Sequence, residues 1–128
     1  MAVAGGVTLA AGALIAFERS ERKVVTLLAR ARERSESLSV PVGAIGQVWR
    51  DGRRQARLAR LLGSDAVEIV ALDDFGARAA GQLCGTSGTA DVIDATVVLC
   101  AQARGRRIAT SDPDDMRRLD PTIVLIAL

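Results

Sequence analysis

Short apolar runs alternate along the chain with longer stretches in which apolar residues recur at helical spacing. A short apolar run bounded by polar or turn-forming residues predicts a buried strand. The runs of this kind cover residues 7–10, 39–40, 68–72, 107–110 and 122–126.

The stretches between these runs carry the signals of helix starts and ends. Residues 21–36 place apolar side chains on one face of a helix and charged side chains on the other. Asp73 is a good N-cap, residues 85–88 predict a turn, Thr89 predicts the next cap, and Gly105 predicts a helix end. The predicted helices cover a short segment through Ile15 and Phe17, residues 21–36, 42–49 and 55–62, a segment from Asp73 through Cys84, and residues 90–104 and 114–119.

Strands that alternate with helices predict an α/β fold, here a three-layer α/β/α domain with a mostly parallel sheet. The length of 128 residues fits a single domain over residues 1–128. In such sheets a site forms beyond the carboxyl ends of the strands, where the strand order reverses. We therefore expect a site at the ends of the first and fourth predicted strands, near Ala10 and Asp112.

The absence of certain residue types narrows the chemistry. The chain has no histidine, which excludes a Ser-His-Asp triad, a Cys-His pair and a histidine-containing zinc site. Its three aromatic residues are too few for the stacking platform of common single-strand binding domains. Cys84 and Cys100 lie in apolar stretches and predict reduced, packed thiols in a cytoplasmic protein.

The first seventeen residues carry no charge. They lack the basic start of a signal peptide and are too short and glycine-rich for a membrane helix. A buried strand that runs into a helix is the better interpretation, so no membrane association is expected.

Positive charge is concentrated in the first half of the chain. Residues 17–60 hold eleven Lys and Arg against five Asp and Glu, whereas residues 61–128 hold six against ten. Arginine supplies sixteen of the seventeen basic residues, and its planar fork matches phosphate. Charge alone leaves two interpretations open, a polyanion partner or solvated helix faces.

Acidic residues follow the predicted strands of the second half. Asp91 and Asp94 share one face at a helix start, Asp112 ends a strand, and Asp115 begins the next helix. Carboxylates brought together repel one another, and a divalent cation relieves that repulsion; oxygen ligands favour Mg²⁺ or Mn²⁺. The alternative is ordinary capping, since Asp favours helix N-termini. Asp94 is harder to explain in this way, because its helix is otherwise largely apolar.

Three segments that together cover nearly the whole chain resemble one family. They are GGVTLAAGALIAFERSE at residues 5–21, VPVGAIGQVWRDGRRQARLARLL at residues 40–62, and TADVIDATVVLCAQARGRRIATSDPDDMRRL at residues 89–119. All three are similar to PIN domains, the metal-dependent ribonuclease fold of VapC-type toxins from toxin–antitoxin pairs. The first segment resembles the opening strand, and the last resembles the second half of the domain.

The resemblance implies that Asp91, Asp94 and Asp112 are catalytic and, together with Asp115, bind Mg²⁺ or Mn²⁺. Two positions depart from the family pattern. Ala10 stands where the opening strand normally ends in a metal-binding aspartate, and Gln47 stands where many members have glutamate. Either this is a member that has lost catalysis, or an aspartate was replaced by alanine so that a toxic nuclease could be produced. The intact flanks favour the second origin.

The resemblance also implies an endoribonuclease with an RNA substrate, a cognate antitoxin protein and a homodimer. We expect the RNA backbone to be guided by four arginines of the basic half: Arg50, Arg53, Arg54 and Arg57. Two other hypotheses remain open. The chain is either a catalytically inactive PIN-like module that binds RNA or an antitoxin, or an α/β scaffold without a site.

Overall fold

A computed structural model describes residues 5–128 of the chain. Within this range the strands are β1 (Gly6–Leu9), β2 (Ser37–Pro41), β3 (Val67–Val70), β4 (Arg107–Thr110) and β5 (Leu125–Ala127). The helices are α1 (Ala11–Glu18), α2 (Arg22–Glu33), α3 (Val42–Val48), α4 (Ala56–Leu62), α5 (Asp74–Ser87), α6 (Val92–Arg104) and α7 (Pro113–Leu119). Each strand and helix predicted from the hydrophobic pattern is present.

The strands lie parallel in one sheet, in the order β3-β2-β1-β4-β5. At the centre, Thr8 of β1 lies opposite Ser39 of β2 on one side and Ile108 of β4 on the other. The chain builds the sheet outward from β1 to β3 and then crosses back to add β4 and β5. The strand order therefore reverses between β1 and β4, where parallel sheets open a crevice for ligands.

Two apolar clusters cover the two faces of the sheet. On one face, Val7 and Leu9 pack against buried residues of α1 to α4; on the other, Ile108 packs against buried residues of α5 to α7. Leu14 and Val98 are fully buried in these clusters. Burial of each such side chain stabilises the fold by about 1.5–3 kcal/mol. These layers confirm the predicted three-layer α/β/α architecture.

The two cysteines are free and buried, as predicted. Burial raises the pKa of the Cys100 thiol, which lies on α6 close to the hydroxyls of Thr8 and Ser39. Those two hydroxyls are buried and hydrogen-bonded to each other at 2.8 Å. Because burial disfavours the thiolate, Cys100 is a packing residue rather than a nucleophile.

The uncharged start of the chain forms a strand and a helix where residues 5–17 are described, as predicted. Residues 1–4 of that segment lie outside the described residues. No single helix within residues 5–128 is long and apolar enough to cross a membrane; α5 and α6 reach the required length and composition only as a pair bent by 107°.

Several predicted boundaries are wrong. Residues 34–36 lie beyond the end of α2, and residues 71–72 lie beyond the end of β3. Residues 85–87 belong to α5 instead of forming a turn, because α5 packs along α6 and ends only at Gly88, whose φ is +70°. The cap of α6 is Asp91 and not Thr89; the Asp91 carboxylate accepts the Asp94 N–H at 2.9 Å. Residues 122–124 precede β5, since Thr122 is held in a turn by Asp120.

Candidate functional site

Ala10 lies at the carboxyl end of the central strand, where the strand order reverses. Its backbone N–H donates to the carbonyl of Ala109 at 3.1 Å, and its own carbonyl accepts from Ala13 and Leu14 at the start of α1. Only 3% of Ala10 is exposed, and its methyl group belongs to the apolar cluster under α6. The position that the family resemblance assigns to a carboxylate therefore holds a small packed side chain.

The start of α1 lies directly against the turn that follows β4. A Cβ atom added to Gly12 would overlap the hydroxyl of Ser111. Glycine is thus required at this close approach. The contact brings the end of β1 next to Asp112, which follows β4 by two residues.

Asp91 and Asp94 form a close pair at the start of α6. The Asp91 carboxylate accepts the backbone N–H of Asp94 at 2.9 Å, which brings the two carboxyl groups close together. Asp94 is partly buried, and its pKa is raised to about 7. Desolvation contributes most to this rise, and the charge of Asp91 contributes next.

Asp112 and Asp115 add negative charge to the same region, since both raise the pKa of Asp94. Asp112 is positioned by its neighbours: its N–H donates to Thr110 Oγ1 at 2.9 Å, and Ser111 Oγ donates to its carboxylate at 3.4 Å. The neighbouring Asp114 instead forms an exposed ion pair with Arg117 at 3.3 Å. We call Asp91, Asp94, Asp112 and Asp115 the acidic cluster.

The donor chemistry of the acidic cluster fits a hard divalent cation. Its ligands would all be carboxylate oxygens. Desolvation, followed by the repulsion among these carboxylates, raises the pKa of Asp94. Within the described part of the chain, however, no three acidic or cysteine side chains are arranged to hold a metal ion. The Asp91–Asp94 pair is close-set, whereas Asp112 and Asp115 act on Asp94 through charge. Metal binding by the cluster stays a prediction.

Gln47 is the other departure from the family pattern. It is exposed on α3, the helix that follows β2 at the carboxyl edge. α3 approaches α6 closely, because a Cβ added to Gly43 would overlap Ile93, the residue before Asp94. The helix that carries Gln47 is therefore packed beside the acidic cluster.

The four predicted RNA-guiding arginines fall into two groups. Arg57 is partly buried; its Nε donates to the carbonyl of Phe17 at 2.9 Å, and its guanidinium lies 4.4 Å from the Phe17 ring centre. Arg50 donates to the carbonyls of Gly46 and Trp49. Both therefore interact with the chain's own backbone. Arg53 and Arg54 are exposed, as Arg50 is, and the Arg54 side chain lies at a loose 3.9 Å from Asp51.

Residues 49–55, which we call the arginine loop, are held in place by Gln55. This side chain is only 8% exposed. Its amide nitrogen donates to Glu18 and to the carbonyl of Val48, both at 2.8 Å. Its amide oxygen accepts the N–H groups of Arg50 at 2.7 Å and Asp51 at 3.0 Å. Sequence reasoning missed this residue, because the sequence contains no local signal that a glutamine between two helices is buried.

Comparison with solved structures places this arrangement among known folds. The chain superposes on a chain of VapBC2 from Rickettsia felis bound to a promoter DNA fragment, with a TM-score of 0.73 and 13% identity over 95% of this chain and 98% of the other. The chain has the PIN-domain fold. A chain of FitAB bound to the IR36 DNA fragment matches with a TM-score of 0.67 and 14% identity, covering 94% of each chain.

A third PIN-domain neighbour is a chain of FitAcB from Neisseria gonorrhoeae, with a TM-score of 0.64 and 16% identity over 94% of this chain and 96% of the other. No protein-family model and no curated protein sequence matches the chain. The resemblance to PIN domains read from residues 5–21, 40–62 and 89–119 is thereby confirmed at the level of the fold.

Proposed function

We propose that this chain is the toxin component of a cytoplasmic toxin–antitoxin pair, with the residues of a Mg²⁺- or Mn²⁺-dependent endoribonuclease and a site weakened by Ala10. The observation that carries the proposal is Asp94, a partly buried carboxyl group whose pKa is raised to about 7 by desolvation and by the other acids of the cluster. These acids lie where the strand order of a PIN fold reverses. Crowded carboxylates cost folding free energy, and strongly perturbed pKa values cluster at functional sites, which supports a functional role for these acids.

Each residue of the acidic cluster has a role in this proposal. Asp91 and Asp94 would supply adjacent carboxylate oxygens from α6, and Asp112 would supply one from the end of β4, with Asp115 as a fourth. A bound divalent cation would polarise the phosphodiester and lower the pKa of a water molecule. Thr110 and Ser111 hold Asp112 through its backbone N–H and its carboxylate. Because the chain has no histidine, proton transfer from the water falls to the carboxylates.

Ala10 weakens this site for a geometric reason. An aspartate at the end of β1 would add a further carboxylate next to the turn that carries Asp112. Without it, a cation would have one ligand fewer and would be held less firmly by the acidic cluster. A displacement of about 1 Å in the reacting groups costs roughly a hundredfold in rate.

A groove between α2 and α4 supports the antitoxin part of the proposal. It has a volume of about 1020 Å³ and is lined by apolar residues such as Val25, Leu28 and Leu61 and by charged residues such as Arg32 and Glu33. A groove of this composition suits an amphipathic helix, whose apolar face fills the groove and whose charges pair at its edges. We assign it to a helical segment of the antitoxin.

The surface around Phe75 supports self-association. Phe75 begins α5 with 83% of its surface exposed, and Leu72 beside it is also exposed. Leu72 and Gly76 line an adjacent apolar cleft of about 150 Å³. A protruding ring next to a cleft is self-complementary under two-fold symmetry, since each copy can place its ring in the cleft of the other. We therefore propose a homodimer through this face.

The decisive test is to restore a carboxylate with Ala10→Asp and to assay cleavage of total cellular RNA with Mg²⁺ or Mn²⁺. We expect cleavage that stops in EDTA and returns with metal. The matched control Ala10→Asn has nearly the same size but no charge and should not cut. Asp112→Asn in the restored protein should abolish cleavage again. If the folded Ala10→Asp protein cuts no RNA with metal present and antitoxin absent, the nuclease proposal is wrong.

A second candidate function is favoured by Ala10 itself. Its side chain is well packed in the apolar cluster, and residues 5–128 offer no ready arrangement of three metal ligands. Both facts suit a PIN-like module that binds RNA or antitoxin without cutting. This module would bind RNA equally well with and without Ala10→Asp and would cleave it in neither form.

A further inference from the structure

Trp49 stands at the end of α3 and opens the arginine loop, and it is the only tryptophan of the chain. The indole is partly exposed, with 37% of the residue accessible to solvent. Its edge lies over the backbone of Gly52, where an added Cβ would sit 3.1 Å from Cζ2. The loop thus supports the ring from one side and leaves part of it open.

The backbone beneath the indole is held by several hydrogen bonds. Arg50 donates to the Trp49 carbonyl at 2.7 Å. The Asp51 carboxylate accepts the N–H of Arg53 at 3.0 Å, and the Asp51 carbonyl accepts that of Arg54 at 3.0 Å. Together with the four contacts of Gln55, these bonds make the loop a rigid support. A ring on a rigid support loses little conformational entropy when a partner stacks on it.

The electrostatic surroundings set Trp49 apart from the other two aromatic residues. Phe17 is covered by Arg57, and Phe75 lies in the exposed apolar face at the start of α5. The arginine loop holds three arginines against one aspartate, so its surface attracts a polyanion. An exposed indole among exposed guanidinium groups is the combination that binds single-stranded nucleic acid, with stacked bases and neutralised phosphates.

The position of the loop is consistent with a strand that also reaches the acidic cluster. α3 begins at the carboxyl edge of the sheet and packs on Ile93 beside Asp94. Its seven residues span about 10 Å. The loop therefore lies roughly that far along α3 from the edge where the acids gather.

We propose that Trp49 stacks on an unpaired base of a single-stranded RNA whose phosphates contact Arg53 and Arg54. The inference rests on the proposed function, because it names how that RNA is held. Stacking tolerates every base, so Trp49 favours single-stranded over duplex RNA without reading sequence. It is a positioning residue for the strand and takes no part in bond cleavage.

Because Trp49 is the sole tryptophan, its fluorescence reports stacking directly. In EDTA, a short single-stranded oligoribonucleotide should quench the emission along its binding curve. Heparin, a polyanion without bases, should bind the arginines and leave the emission nearly unchanged. Equal quenching by heparin and RNA would overturn the stacking.

Substitution separates stacking from charge. Trp49→Ala should weaken RNA binding about 5- to 150-fold and leave the slope of affinity against salt unchanged, because no charge is removed. Trp49→Phe should keep most of the affinity. Arg53→Glu with Arg54→Glu should instead reduce the salt slope. Val124→Ala removes an exposed apolar side chain elsewhere and should have no effect.

The outcomes also distinguish this inference from the proposed function. If the unaltered chain binds RNA and Trp49→Ala binds it equally well, the stacking is wrong and the RNA proposal stands. If the unaltered chain binds no RNA at low salt, both are wrong. The stacking would be established if RNA quenches the emission and heparin does not, Trp49→Ala loses RNA affinity, and Trp49→Phe keeps most of that affinity.

Discussion

Asp94 makes the stability of this protein depend on pH in a direction opposite to that of most carboxyl groups. In the unfolded chain its carboxyl group ionises near the ordinary aspartate pKa of 3.8, whereas in the folded chain its pKa is about 7. Between these values the native state binds the extra proton. The free energy of unfolding must therefore fall as pH rises from about 4 to 7, and stay lower above that range.

The size of the effect follows from the pKa shift and the exposure of Asp94. A rise from 3.8 to about 7 corresponds to roughly 4 kcal/mol at 1.36 kcal/mol per unit if no solvent screened the charge. Asp94 is only partly buried, so water reduces this to about 1–2 kcal/mol. Asp94→Asn keeps the size of the side chain and removes the charge. It should be more stable than the parent by about that amount at pH 8, and should approach the stability of the parent only below about pH 3.8, where the carboxyl group is protonated in both the folded and the unfolded chain.

The assay is urea unfolding of the parent and of Asp94→Asn at several values between about pH 3.5 and pH 8, without divalent metal. Asp114→Asn is the matched control, because Asp114 occupies the first turn of α7 but its side chain is almost fully exposed. The stability of this control relative to the parent should not change over that range. Parallel stability curves for the parent and Asp94→Asn would refute the reasoning, as would a loss of stability in Asp94→Asn at pH 8.

Three further outcomes are expected. Mn²⁺ at a hundredfold excess over its dissociation constant should raise the free energy of unfolding by about 2.7 kcal/mol. Ala10→Asp should bind Mn²⁺ more tightly than the parent. Melting temperatures that do not change with Mn²⁺ in either protein would exclude a metal site. Gln55→Ala should lower the free energy of unfolding in urea by about 2–3 kcal/mol, because it leaves the hydrogen-bond partners of both amide atoms unpaired. A decrease below about 0.5 kcal/mol would mean that water replaces the lost hydrogen bonds. Phe75→Glu should convert a dimer into a monomer in light scattering, and an unchanged mass would place the interface elsewhere.

Much of the fold follows from local pattern. The apolar runs that became β1 and β4 and the amphipathic stretch that became α2 were predicted from spacing alone, because helix and strand periods are properties of a few adjacent residues. The same logic placed Ala10 and Asp112 at one sheet edge, since parallel strands bring their carboxyl ends together. That Ala10 replaces an expected aspartate was inferred from the family resemblance. The hydrophobic pattern alone does not indicate it.

Other features depended on contacts between distant parts of the chain. The order of the strands, and hence the reversal between β1 and β4, is set by which helices cover which face. The sequence did not reveal that Arg50 and Arg57 donate to backbone carbonyls. All four arginines lie in the same arginine-rich segment, and nothing in their neighbours along the chain distinguishes these two from Arg53 and Arg54.

The raised pKa of Asp94 illustrates the same division. Its position on a largely apolar helix was visible in the sequence and indicated a carboxylate in need of a partner. The extent of its burial, and the approach of Asp112 and Asp115 from the next helix, came only with the tertiary structure. Desolvation and charge act through space, so the sequence determines which groups exist and the packing of α6 against α7 decides how strongly they interact.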